Sequence, residues 1–409
     1  MQLPSHRNIT RPADVHLLCA RYWPDGHGGV EQRMWHVSHA LADLGLTVRV
    51  ICENRCGAEP VESLRRSLEI RRVDPLNDGR LWRLRSMLEV RWWMHAIKTH
   101  APSGKLWASA PPQAVAAILL GRANDLVYNP ACCVGAMRDL AAGNAHLTTM
   151  SRPRMIERLD RFAYRRAGQV VVGSANVRDQ LGKHYGLREV TITPHAADEV
   201  SPPRVDRQLA RARWSLNDHT FAVGFVGRLD PCKAVEFLFQ AVASRLFDAN
   251  LRILMVGEGP DESRLHQVAS ALGVTDRLIW TGRLENPGDA YAAMDVLVLP
   301  SVYEAFGNVL LEAMSRGVPT IGRAGNQRDV LTASSEIIDH ERTGIVIETP
   351  DPRELGDALY RMQHDARFLA SLGEAARASA SQWTWTDVAH RYANVMKLAP
   401  DAQSVRQAA

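Results

Sequence analysis

No stretch of eighteen apolar residues occurs anywhere in this 409-residue chain, so no segment reads as a membrane-crossing helix. The first residues, Met1 to Asp14, include Pro4, His6, Arg7 and Arg11 and hold no apolar signal core, which predicts a chain that is neither secreted nor membrane-spanning. Cysteine is scarce: Cys19, Cys52, Cys56, Cys132, Cys133 and Cys232 form no C-x-x-C pair. Several of them sit in apolar stretches, so reduced, buried thiols are expected rather than a disulfide frame. A zinc site from Cys52, Cys56 and a histidine would lack the spacing that structural zinc ligands show. Internal repeats and low-complexity tracts are missing, and nothing resembles an RNA- or DNA-reading module, so nucleic acid is not an expected partner.

What is present is balanced. At 46% hydrophobic and 23% charged, the chain is unlike a disordered or collagenous protein and long enough for two ordinary domains. Its net charge of +4 hides an asymmetry: residues 1–200 hold 27 Lys plus Arg against 19 Asp plus Glu, and the remainder 22 against 26. A basic N-terminal half suits an anionic lipid surface or a phosphorylated glycan.

The pattern of apolar runs is that of alternating strands and helices. Val15 to Cys19 reads as a strand, Gly29 to Leu44 as a helix with Val30, Met34, Val37, Leu41 and Leu44 on one face, and Val48 to Ile51 as a second strand. Alternation continues through Val170-Val171-Val172 and Val190-Thr191-Ile192 and breaks at Ser201-Pro202-Pro203, a linker signal. A second series follows, with strands at Phe221 to Val226, Arg252 to Val256, Arg277 to Trp280, Asp295 to Leu299, Thr320-Ile321 and Ile345 to Ile347. Trp385, Val388, Tyr392 and Val395 give the tail, Trp383 to Leu398, helical spacing. These expectations make an α/β protein with two doubly wound, Rossmann-like domains facing a central cleft, at 1–200 and 201–382, and a terminal segment at 383–409.

The densest chemical signal lies between Glu304 and Glu312. A strand ending near Leu299 and a helix from Asn308 to Arg316, stopped by Gly317-Val318-Pro319, put Glu304 just past a strand's carboxyl end and Glu312 one turn into the helix. Gly307 at the helix entrance lets the N–H groups of Gly307, Asn308 and Val309 face an anion such as a phosphate. Glu312, flanked by Leu310, Leu311, Ala313 and Met314, is a carboxylate in apolar surroundings, suited to accept two hydrogen bonds from a vicinal diol. Arg228 and Lys233 follow the strand Phe221 to Val226, at the sheet edge where open α/β folds bind ligands, and two cations there would neutralise a diphosphate. No Asp-x-Asp triad occurs, which argues against a metal.

The E-x7-E spacing of Glu304 and Glu312 resembles that of the retaining family 4 glycosyltransferases. So do Gly28-Gly29-Val30-Glu31, Gly227-Arg228-Leu229-Asp230-Pro231-Cys232-Lys233, Val256-Gly257-Glu258-Gly259-Pro260 and Trp280-Thr281-Gly282-Arg283, in that order along the chain. The resemblance implies the GT-B fold, with a terminal helix crossing back to the first domain, no cofactor, and a UDP- or GDP-sugar as donor. It implies that Arg228, Lys233 and Glu304 are catalytic, with Glu304 near the donor sugar's hydroxyls. It further implies that Gly28, Gly29, Arg283, Leu284, Phe306, Gly307, Asn308, Val309 and Glu312 bind the donor, Glu312 through its ribose and Arg283 and Leu284 beside its base. Retention, and an α-linkage formed as the leaving diphosphate takes the acceptor's proton, are implied in the same way.

Three departures stand out. Ala234 follows Lys233 where relatives have Gly; Asn129 stands where many relatives have a histidine; and about seven residues are inserted around 325–336, beside the donor cleft. Glu31 is read as a cap of the first helix.

On the acceptor side, a helix from Arg154 to Arg166 would align Arg154, Arg158, Arg161 and Arg165 in one basic stripe, with Glu157 able to pair with Arg161. Such a stripe is either a solvated face or a seat for anionic headgroups or acceptor phosphates. Trp82, Trp92 and Trp93 among Arg83, Arg85, Arg91 and Lys98 suit a membrane interface or a packed helix. The Arg-rich helix and the segments Val171 to Ser174 and His184 to Gly186 look most like bacterial lipopolysaccharide-core glucosyltransferases. The expectation is therefore a cytoplasmic enzyme, peripheral on the inner face of the plasma membrane, moving a hexose-type sugar to a glycan or glycolipid acceptor in lipopolysaccharide or exopolysaccharide assembly. Transfer to a small-molecule acceptor, a nucleotide-sugar epimerase and a non-catalytic sugar-nucleotide sensor are the alternatives.

Overall fold

The computed structural model describes residues 12–23, 28–55, 57–75, 85–144, 147, 154–187, 189–197 and 206–399. Met1 to Arg11, Cys56, Trp82, Arg83 and the linker signal Ser201-Pro202-Pro203 lie outside the described residues. The chain divides into two units: Met1–Arg138, Arg152–His195 and Trp385–Ala409 make the first, Asp139–Ser151 and Ala196–Thr384 the second.

From the amino end run β1 (Val15–Leu18), α1 (Gly29–Asp43), β2 (Val48–Glu53), β3 (Val61–Arg65), β4 (Leu68–Val73), α2 (Arg85–His100), β5 (Lys105–Ala108), α3 (Pro111–Leu119), β6 (Leu126–Tyr128), α4 (Val134–Ala142), α5 (Arg154–Arg166), β7 (Gln169–Val172), α6 (Ala175–Tyr185) and β8 (Thr191–Ile192). Their strands make one sheet of order β3-β4-β2-β1-β5-β6-β7-β8, parallel except where β3 meets β4. Every residue of β1 is buried, as in a strand covered on both faces. β3 and β4 carry too many charges to show an apolar run. Instead Glu69, fully buried in β4, accepts hydrogen bonds from Arg49 at 2.8 Å and Arg71 at 2.5 Å. The strand order reverses between β1 and β5.

The second series is α7 (Arg207–Ala212), β9 (Phe221–Val226), α8 (Val235–Ala243), β10 (Leu251–Val256), α9 (Glu262–Ala271), β11 (Leu278–Gly282), α10 (Gly288–Ala293), β12 (Val296–Leu299), β13 (Tyr303–Glu304), α11 (Asn308–Ser315), β14 (Thr320–Arg323), β15 (Leu331–Thr332), α12 (Ser334–Ile337), β16 (Gly344–Ile347), α13 (Pro352–His364) and α14 (Ala366–Ala380). Six strands form a parallel sheet of order β11-β10-β9-β12-β14-β16, and β13 and β15 pair separately. Here the order reverses between β9 and β12. All six residues of β9 are buried, and α11 buries Leu310, Leu311 and Met314 completely, each contributing roughly 1.5–3 kcal/mol.

The last helix, α15 (Trp385–Met396), belongs to the first unit, where Trp385 stacks on His36 at 4.8 Å and Tyr392 on Trp107 at 4.3 Å. Among the described residues no helix is long and apolar enough to cross a membrane. Among the described residues, Cys19, Cys52, Cys132, Cys133 and Cys232 form no disulfide, and the first two and Cys133 are buried.

Candidate active site

Parallel sheets leave a crevice where the strand order reverses, because the connections on either side depart in opposite directions. In the second unit that point lies at the carboxyl ends of β9 and β12, and the loops after these two strands hold Lys233 and Glu304. After Val226 the chain runs through Arg228 to Asp230, whose carboxylate accepts from the Cys232 N–H at 3.4 Å and starts a 3-10 turn over Pro231–Lys233. After β12, the Val302 N–H donates to the Cys232 carbonyl at 2.9 Å, and the Leu331 N–H to the Val302 carbonyl at 2.7 Å. The β13–β15 register, Tyr303 opposite Leu331 and Glu304 opposite Thr332, then directs Glu304 back to the turn.

Lys233 Nζ donates to Glu304 Oε2, and each side chain is 19% exposed. Burial alone would lower the lysine pKa, but the Glu304 charge and hydrogen bond outweigh it and hold Lys233 above its ordinary value. It is a cation throughout the physiological range. Arg228 is not part of this pair: its side chain is 70% exposed and binds Asp230.

α11 begins beside this pair. Gly307 occupies its N-cap at φ +102°, a conformation that strains residues with a Cβ, and no side chain caps the helix. The positive end of α11 lies close to Glu304, whose Cγ would stand 3.4 Å from a Cβ on Gly307, and Phe306 is buried against Trp383. One turn on, Glu312 accepts a hydrogen bond at 2.6 Å from the hydroxyl of Tyr291, a fully buried residue of α10. Arg316 caps the arrangement, donating to the Glu312 carbonyl at 2.8 Å with its guanidinium 5.2 Å from the Tyr291 ring centre. Nothing in the sequence around Tyr291 signals this contact except a lone phenol in the apolar stretch before β12.

Arg283 and Leu284 follow β11. Arg283 is 3.9 Å from Glu258, and Leu284 packs on the core. The turn after β10 lies tight on the turn after β9: a Cβ on Gly257 would stand 1.9 Å from the Gly227 carbonyl oxygen.

In the first unit, Gly28 holds the N-cap of α1 with no side-chain bond of its own, and Glu31, in the first turn, lies over it, with Oε2 2.5 Å from where a Cβ on Gly28 would stand. Gly29 follows as the first helical residue, beyond the end of β1. Asn129, after β6, donates to the Val171 carbonyl at 2.7 Å. Its own carbonyl accepts from Arg33 at 3.1 Å, and Arg33 also approaches His195 Nε2 at 3.3 Å. Burial holds the Arg33 guanidinium below its ordinary pKa. Sequence reasoning passed over Arg33 because it falls on the helix face that reads as core.

Arg154, Arg158, Arg161 and Arg165 are all exposed on α5. The opposite face is anchored by Asp160, fully buried, which accepts from Tyr128 at 2.6 Å and Tyr185 at 2.9 Å. Burial raises its pKa to about 6 against the pull of those hydrogen bonds. Glu157 pairs with Arg138 rather than with Arg161, whose guanidinium donates to the His184 carbonyl at 3.0 Å. Among the described residues no group of three or more His, Cys, Asp or Glu side chains is placed to hold a metal.

Residues 27–200 match Glycosyltransferase Family 4 and residues 220–365 match Glycosyl transferases group 1. A D-inositol 3-phosphate glycosyltransferase of Corynebacterium aurimucosum is 30% identical over 58% of this chain and 57% of its own length. The chain spans about half the length of the curated relatives it matches. Among solved structures, WaaG, a glycosyltransferase involved in lipopolysaccharide biosynthesis, is similar with TM-score 0.72 at 20% identity, over 93% of this chain and 99% of that one. HepE of Anabaena, solved with UDP-glucose, is similar with TM-score 0.70 at 19% identity, over 94% and 99%. At these identities the structural likenesses show the fold alone.

Proposed function

We propose, from the premise that the chain belongs to the family 4 and group 1 glycosyltransferases and has the GT-B fold, that it moves a hexose-type sugar from a UDP- or GDP-sugar to an acceptor hydroxyl. The α-linkage is made with retention and without a metal. The observation that carries this reading is the Lys233–Glu304 pair at the strand-order reversal, beside the uncapped start of α11.

Breaking the bond between sugar and phosphate builds negative charge on the leaving nucleoside diphosphate. Lys233 and the α11 terminus face that charge with preformed positive potential, and Arg228 joins them by leaving Asp230. Glu304 binds the sugar's hydroxyls and Glu312 the ribose. The diphosphate takes the proton from the acceptor hydroxyl on the face it leaves, so no protein nucleophile is needed. Incubation with a panel of radiolabelled UDP- and GDP-sugars tests the reaction. Nucleoside diphosphate release that rises with acceptor supports transfer. An altered sugar still on its nucleotide would mean epimerisation, and binding without turnover would mean a sensor.

For the acceptor we favour a glycan or glycolipid met at the cytoplasmic face of a membrane, because α5 offers four aligned, exposed arginines. The likeness to the Corynebacterium D-inositol 3-phosphate glycosyltransferase favours a second reading, a small phosphorylated acceptor. Flotation with anionic vesicles separates them: the first requires binding that is lost when Arg154, Arg158, Arg161 and Arg165 become Glu, the second requires none.

A further inference from the structure

We infer that Tyr291 is a positioning residue for the donor, holding the Glu312 carboxylate in the orientation that receives a vicinal diol. The inference rests on the donor-site reading above and goes beyond it, since no contact between Tyr291 and a substrate is involved.

A glutamate side chain has three rotatable bonds and loses that freedom when it binds a rigid diol. A carboxylate already fixed by a neighbour has less to lose on binding. Glu312 is fixed in this way. The Tyr291 hydroxyl donates to its Oε2 at 2.6 Å, and Tyr291 is itself fully buried, so the donor cannot swing away. The ring is held in turn by Arg316, 5.2 Å from its centre, which also donates at 2.8 Å to the backbone carbonyl of Glu312. Ser315 Oγ donates to the same carbonyl at 2.9 Å. Backbone and side chain of Glu312 are thus restrained from two helices, α10 and α11, that flank β12 in the chain. A hydroxyl bonded to a carboxylate also removes one acceptor direction, which narrows the approaches left to a ligand diol.

The Tyr291→Phe variant keeps the ring in the core and deletes the hydroxyl alone. Titration calorimetry with UDP and with GDP on the full chain should show the preferred diphosphate weakened about tenfold. KM for the matching sugar donor should rise by a similar factor, with kcat at saturation unchanged, since ribose is remote from the bond that breaks. The same change in a Glu312→Gln background should add less than twofold, because the group being positioned is already gone. Wild-type affinity in Tyr291→Phe, tighter binding, or an equal loss in both backgrounds would overturn the inference while leaving the donor site standing, provided Glu312→Gln itself weakens binding. Glu312→Gln binding both diphosphates as the wild type does would overturn the donor-site reading and the inference together.

Discussion

Ala234→Gly should stabilise the second unit, the reverse of what Ala→Gly does in a helix. Ala234 ends the 3-10 turn that carries Lys233 and opens α8 at φ +46°, ψ +43°, in the left-handed region. An L-residue with a Cβ pays about 1–2 kcal/mol there. Replacement by Gly removes that strain, but adds about 0.4–1 kcal/mol of unfolded-chain entropy and gives up a buried methyl group worth up to about 0.8 kcal/mol. At the middle of these ranges the balance is about 0.4 kcal/mol in favour of Gly. A matched control is Ala370→Gly, at an exposed position in the middle of α14 of the same unit, which should cost about 1 kcal/mol. Urea unfolding followed by Trp fluorescence, with both variants beside the parent, should place Ala234→Gly at or above the parent and Ala370→Gly below it. The expected gap is about 1–2 kcal/mol, and in a thermal scan about 2–4 °C per kcal/mol for a unit of this size. Equal losses in the two variants would show that position 234 is unstrained and that the turn before α8 has another geometry. Gly suits this backbone, and Ala is tolerated at a cost in strain.

Lys233→Ala should lower kcat by about a hundredfold to a thousandfold while folding persists, and unchanged turnover would remove Lys233 from the chemistry. Because its folded pKa lies above its ordinary value, the stability Lys233 contributes is fully present below the unfolded pKa of about 10.4 and is lost as pH rises through the folded value. The parent should therefore lose stability more steeply than Lys233→Met above about pH 10, as read from urea midpoints. Asp160 has the opposite sign to a salt-bridged carboxylate: with a folded pKa of about 6 it takes up its proton before the unfolded chain does, so its contribution to stability rises as pH falls from about 6 to 4. Asp160→Asn should abolish that slope, and a parent-minus-variant difference that stays flat from pH 4 to 7 would refute it.

Much of this protein is written locally along the chain. The two series of strands and helices follow from apolar runs and their period, and the order strand, glycine turn, helix between Leu299 and Glu312 follows from neighbours a few residues apart. Family membership was legible for the same reason, since its motifs are short and their order is linear. The charged strands β3 and β4 were not, because Glu69 is compensated by Arg49, twenty residues away, and by Arg71 across a pleat. Strand order, and with it the reversal between β9 and β12, has no local signature. It alone brings Lys233 to Glu304, 71 residues on, and only the tertiary structure turns Tyr291 of α10 toward Glu312 of α11. Sequence by itself determined which residues have the chemistry to bind an anion or a diol. Tertiary structure decided which of them meet, because a hydrogen bond depends on ångström distances that residue spacing does not encode across a crossover.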